Sequence, residues 1–132
     1  MIGGFAVILH GFVRGTRDID LLVEPSKGNI HKLKKAMSKL PDKVVLQVND
    51  DDVMKYQVVR VADEIVVDLM SKACGIDYDT AVKDVEYKIV EGVKIPVANK
   101  QILIKMKKTF RNSDKMDIDY LKYRIDADKR NE

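Results

Sequence analysis

Apolar residues recur at two spacings along this chain, and each predicts its own kind of element. Ile30, Leu33, Met37 and Leu40 step by three, four and three, the stripe of an amphipathic helix, while Lys32, Lys34, Lys35 and Lys39 take other faces. Ser26 is placed to cap that helix and Pro41-Asp42 to end it. Ahead of it, residues 4–12 predict a short helix, and Asp18–Val23 (DIDLLV) predicts a strand stopped by Glu24-Pro25. Val44–Val48 reads as a strand, followed by a polar turn at Asn49–Asp52. The β-rich runs Tyr56–Val61 and Ile65–Met70 flank Ala62-Asp63-Glu64 and predict a hairpin.

Further on, Asp77 or Asp79 is a cap for a short helix over residues 80–85, and a second hairpin is expected around Gly92. Asn99 caps a helix whose inward residues are Ile102, Leu103 and Met106. Ser113 caps a last helix with the stripe Ile118, Leu121 and Ile125, and the polar tail 126–132 is expected to fray. No repeat or linker interrupts the pattern. The prediction is one α/β (α+β) domain over residues 1–132, a mixed β-sheet flanked by helices, with residues 99–126 as a C-terminal helical part.

Composition narrows the class. A chain of 132 residues, 45% hydrophobic, has enough apolar surface for one folded domain. No apolar run approaches the ~20 residues of a membrane span, so no membrane role is expected. The single cysteine, Cys74, excludes an internal disulfide framework and a thiolate zinc cluster. Ile2–Val13 is apolar but lacks the basic start and cleavage site of a secretory signal, and a cytoplasmic protein with a free thiol is expected. The net charge of +3 does not announce a nucleic-acid binder, but it is unevenly distributed. Residues 27–43 carry six basic groups against one acidic, residues 44–99 six against eleven, and residues 100–132 ten against six. Such a split suits a protein that holds cations in one place and phosphates in another; solvated helix faces give the same pattern.

The stretch GGFAVILHGFVRGTRDIDLLV, residues 3–23, carries most of the chemistry. Residues two apart on a strand share a face at about 6.5 Å, so Asp18 and Asp20 project side by side. Parallel carboxylates repel unless a cation sits between them, and an oxygen-preferring ion such as Mg²⁺ resolves the conflict. Gly3-Gly4 opens a helix, leaving free amides and no Cβ atoms where an anion could approach. The same glycines could serve only a tight turn. Asp68, on the otherwise apolar run Ile65–Met70, needs either solvent or a cation. Three carboxylates from two strands can hold two Mg²⁺ ions about 4 Å apart.

Gly3-Gly4, Asp18-Ile19-Asp20 and Asp68, together with VVDLM and LIKMKKTFRNSDKMDIDYL, resemble the nucleotidyltransferase fold of the DNA polymerase beta superfamily. The resemblance is to its minimal bacterial and archaeal branch, which includes the abortive-infection (AbiEii-type) nucleotidyltransferase-like proteins, and it covers nearly the whole chain. It implies that Gly3 and Gly4 contact the β- and γ-phosphates of a nucleoside triphosphate and that Asp18 and Asp20 bind both metals. Asp68 would hold the second metal and orient or deprotonate an acceptor hydroxyl. The implied cofactor is Mg²⁺, two ions, with Mn²⁺ as an alternative. Many members of the family have Ser where Gly4 stands; the Gly-Gly form is typical of the branch.

Lys105 and Arg111 fall in the segment resembling the family's Lys…Arg…Asp pattern and would neutralise triphosphate charge. Arg14, Thr16 and Arg17 lie on the loop entering the carboxylate strand and could line the same cleft. Asp114 and Asp117 could pair with Arg111 or Lys105 in a structural role. The Lys32–Lys39 block reads as a solvated face, with an RNA-contacting patch as the alternative. His10, His31, Cys74 and the Asp50–Asp52 run read as structural or solvated. The implied reaction is transfer of a nucleoside monophosphate to a hydroxyl of a protein, RNA or small molecule. A non-catalytic interaction module, such as a toxin–antitoxin component, is the alternative. Only Met1-Ile2 precede Gly3, too few for a full strand, so an exposed sheet edge, a homodimer or a protein partner is expected.

Overall fold

The computed structural model describes residues 1–108 and 112–131; Arg111 and the side chain of Ser113 lie outside the described residues. The fold is mixed α+β. A short helix, α1 (Gly3–Leu9), leads through a loop to β1 (Asp18–Leu22). Helix α2 (Lys27–Met37) starts where the Ser26 hydroxyl accepts the Asn29 N–H at 3.3 Å.

The next segment departs from expectation. Val44–Gln47 is a turn of 3₁₀ helix, not a strand. Its buried side chains, Val45 and Val48, are three residues apart, which matches a three-residue turn and not the two-residue period of a strand. The Asp63 carboxylate also accepts the N–H groups of Asp42 and Val44, each at 3.1 Å, so the entering backbone is satisfied without a neighbouring strand. The polar run that follows winds into a single turn, α3 (Asp52–Lys55), with Val53 fully buried beneath it.

The predicted hairpin forms as β2 (Val59–Ala62) and β3 (Val66–Met70). A small ribbon, β4 (Lys72–Ala73) and β5 (Ile76–Asp77), leads to α4 (Tyr78–Val82), whose cap is Asp77 accepting the Thr80 N–H at 2.9 Å. The second hairpin pairs β6 (Glu86–Val90) with β7 (Val93–Val97). It turns at Glu91 and Gly92, both with positive φ, as tight hairpin turns require. Asn99 caps α5 (Lys100–Met106), its side chain accepting the Ile102 N–H at 2.8 Å, and α6 (Asn112–Arg130) closes the chain. Helix α6 runs on to Arg130, through the tail expected to fray, and Lys100 meets Asp128 at 3.1 Å.

The central sheet has the order β1-β3-β2, with β1 parallel to β3 and β2 antiparallel to it. Alternation sorts its side chains onto two faces. Ile19, Leu21, Val61, Val67 and Leu69 pack against Ile30 of α2 and against Val45, Val48 and Val53. Leu22 joins a second core with Ala6 and Val7 of α1, Leu103 and Met106 of α5, and Leu121 of α6. Along α6 the inward residues are Asp114, Asp117 and Leu121, while Ile118 and Ile125 are only half-buried.

Met1-Ile2 takes the place of a strand. The Ile2 N–H donates to the Asp20 carbonyl at 2.9 Å, the Met1 ammonium to the Pro96 carbonyl at 2.8 Å, and the Ala98 N–H to the Met1 carbonyl at 3.0 Å. These two residues therefore fasten β1 to the β6–β7 hairpin, and burial holds the Met1 ammonium below its ordinary pKa. Among the described residues, no helix is long and apolar enough to cross a membrane.

Candidate active site

The parallel register sets Asp20 opposite Asp68, and the antiparallel register sets Arg60 opposite Asp68. Asp18, two residues before Asp20, shares its face. Four charged side chains from three adjacent strands thus gather on one patch of sheet. Arg60 is the cation among them: Nε donates to Asp68 Oδ1 at 3.0 Å, and Nη2 donates to Asp68 Oδ2 at 3.1 Å and to Asp18 Oδ2 at 2.9 Å. Asp68 is buried, whereas the Arg60 side chain is 58% exposed.

Asp20 sits differently. Burial, then the negative charges of Asp68 and Asp18, push its pKa up from 3.8 to about 6. The nearby Lys107 charge opposes that rise without cancelling it. Among the described residues, no three of the Asp, Glu, His and Cys side chains converge as a preformed cation cage. Asp18, Asp20 and Asp68 are nevertheless carboxylates on one sheet face, oxygen donors of the kind a hard divalent ion prefers; two are held by a guanidinium, and burial with its neighbours' negative charge pushes the third toward its neutral form.

The glycines meet this patch directly. Gly3 has φ +71°, and a Cβ there would lie 2.0 Å from Asp20 Oδ2. At Gly4 a Cβ would lie 2.9 Å from Thr16 Oγ1 and 3.6 Å from an Arg14 Nη atom. The loop after α1 thus folds back over its first turn, bringing Gly3, Gly4, Thr16 and Asp20 together. Arg17 and Lys105 are exposed. Arg111 lies outside the described residues.

A buried ion cluster supports the loop. Asp117, fully buried, accepts from both Arg14 and Lys107, the latter at 2.8 Å, and Lys107 also reaches Asp114 at 3.3 Å. Lys107 and Arg14 are thus partners in this cluster that the sequence reading did not name; the expected pairing with Arg111 falls outside the described residues. A cleft of about 530 Å³, lined in part by Met54, Lys55, Tyr56, Val58, Met70 and Lys72, lies further along β2 and β3 and is not lined by the carboxylates. Met70 follows Asp68 by two residues, and Val58 precedes Arg60 by two, which places the cleft at the edge of the charged patch.

Sequence reasoning missed Arg60 and Lys107. Both carried a signal: Arg60 stands between valines at the middle of a β-rich run, as Asp68 does, and Lys107 follows Leu103 by four residues on the inward stripe of α5. His10 is structural, buried with its ring nitrogen Nε2 2.9 Å from the Ala98 carbonyl, and burial lowers its pKa. Cys74 is exposed, with Sγ 3.1 Å from the Met106 carbonyl. Compared with known proteins, the chain matches no family model, and no curated protein matches it.

Proposed function

We propose that the chain is a Mg²⁺-dependent nucleotidyltransferase that moves a nucleoside monophosphate from a nucleoside triphosphate to a hydroxyl. The observation that carries this reading is the convergence of Asp18, Asp20 and Asp68 on one sheet face beside the Gly3-Gly4 turn. Asp18, Asp20 and Asp68 would hold Mg²⁺, which supplies positive charge to the triphosphate and to the attacking oxygen when bound.

The chain's own groups divide the remaining work. The missing Cβ atoms at Gly3 and Gly4 let Asp20 and Thr16 pack directly against the turn, and the backbone amides of that turn are the groups that would meet the phosphates. Asp117 keeps Arg14 in that position. Asp68, buried at the middle of β3, orients the acceptor hydroxyl and takes its proton as the acceptor oxygen bonds to the α-phosphorus. The bond from the α-phosphorus to the bridging oxygen breaks, and pyrophosphate leaves. The cleft lined by Tyr56, Lys55 and Lys72 is the space available to the acceptor.

A second reading, an interaction module without catalysis, is favoured by the β6–β7 hairpin, where Tyr87, Ile89 and Val93 are exposed. Label transfer separates the two. With Mg²⁺ and cell extract, an α-³²P-labelled triphosphate should mark an acceptor and a γ-³²P-labelled one should not. Transfer of neither label from any nucleotide, with protein that is folded, favours the interaction module.

A further inference from the structure

We propose that Arg60 is a built-in counter-cation that competes with divalent metal for Asp18 and Asp68, and that a bound triphosphate relieves the competition by offering Arg60 a new partner. This rests on the nucleotidyltransferase reading above. Arg60 makes three charge-assisted bonds, and they engage both oxygens of Asp68 and one of Asp18. Those oxygens are the ones a metal would need. The guanidinium also spreads one positive charge across a planar fork, which suits two separate carboxylates but cannot draw three of them onto one point. Asp20 takes no part in these three bonds.

The contrast with the neighbouring ion cluster shows which pair is built to open. Lys107 and Asp117 are enclosed, their side chains 10% and 1% exposed, so their pairing is fixed by packing. Arg60 is 58% exposed and lies on β2, a strand at the edge of the sheet. Leaving Asp68 unpaired would strand a buried charge, so the exposed guanidinium can swing away only as another cation takes its place. A compact divalent ion among the carboxylates would then replace it.

Once released, Arg60 retains its fork of donors two residues along the chain from Val58, which lines the cleft. A phosphate group there matches the fork in charge and geometry. Metal and triphosphate are thereby coupled through one side chain, and the coupling must be reciprocal. Metal alone competes with Arg60; metal arriving with a triphosphate does not.

The test measures Mn²⁺ binding by electron paramagnetic resonance and calorimetry on the wild-type chain, Arg60→Ala and Arg60→Gln, with and without a non-hydrolysable triphosphate. Without nucleotide, both variants should bind Mn²⁺ about tenfold tighter than wild type, and adding the triphosphate should narrow that gap. Circular dichroism checks that each variant is folded, and Arg60→Gln, which keeps the stem, serves if Arg60→Ala unfolds. Equal or weaker Mn²⁺ binding by folded variants overturns the role given to Arg60 while leaving the metal site standing. A gap that the triphosphate leaves unchanged overturns the coupling. Absence of Mn²⁺ binding by wild type and variants alike overturns the nucleotidyltransferase reading, and this inference with it.

Discussion

Asp20→Asn should stabilise the protein at neutral pH and leave it little changed in acid. In the folded chain Asp20 titrates at about 6, against 3.8 when unfolded, because it is buried beside Asp68 and Asp18. A carboxyl whose folded pKa is raised binds its proton more tightly in the folded state. Its favourable contribution is therefore present below pH 3.8 and is lost as pH rises through about 6. Each pKa unit is worth about 1.4 kcal/mol, so the shift amounts to about 3 kcal/mol, reduced by partial exposure to about 2 kcal/mol. Asparagine carries no charge and escapes this cost.

The assay is urea unfolding of wild type and Asp20→Asn from pH 4 to pH 7.5, read as the difference between the two proteins so that other titrating groups cancel. That difference should grow with pH and reach about 2 kcal/mol at neutrality, equivalent to about 6–10 °C in Tm. Saturating Mg²⁺ should abolish the pH dependence in wild type, because an ion among the carboxylates favours the charged form. A difference that stays flat across the range would refute the idea that Asp20 sits in an uncompensated negative field.

Three further outcomes follow from the same geometry. Gly3→Ala should lose about 1–3 kcal/mol in urea unfolding, because its φ of +71° suits glycine and the added methyl would meet Asp20. Asp117→Ala should lose about 3–5 kcal/mol in thermal unfolding, because it leaves Arg14 and Lys107 without their shared buried carboxylate. Asp128→Ala removes an exposed partner of Lys100 and should leave the midpoint of thermal unfolding nearly unchanged. Its effect should be confined to faster amide exchange in the last turns of α6.

What the sequence made legible depended on whether the signal was local. The DIDLL strand, the hairpin carrying Asp68 and the caps at Ser26, Asp77 and Asn99 were readable because alternation and capping act within a few residues. Val44–Val48 misled because valine favours strands, while a distant carboxylate, Asp63, decided how that backbone was satisfied. That Asp18 and Asp20 share a face followed from alternation; the meeting of Gly3 with Asp20 and of Asp20 with Asp68 depends on the loop after α1 and on strand register, which no local signal carries. Arg60 was hidden because its role depends on strand register, which sets it opposite Asp68. Asp114 and Asp117 read as paired residues, but Lys107, their partner here, was hidden because the pairing joins the end of α5 to α6. Only their mutual neutralisation allows all three to be buried. The tail after residue 126 looked frayed because its single anchor, Lys100 on Asp128, joins two elements far apart in sequence.

The central claim, a metal-dependent nucleotide site built on Asp18, Asp20 and Asp68, is tested most directly by calorimetric titration of each nucleoside triphosphate, with and without Mg²⁺. Wild type and Asp18→Asn/Asp20→Asn are compared. The account predicts saturable binding of at least one triphosphate by wild type only with Mg²⁺, and none by the folded double variant. No binding by folded wild type, or equal binding by the double variant, would contradict it.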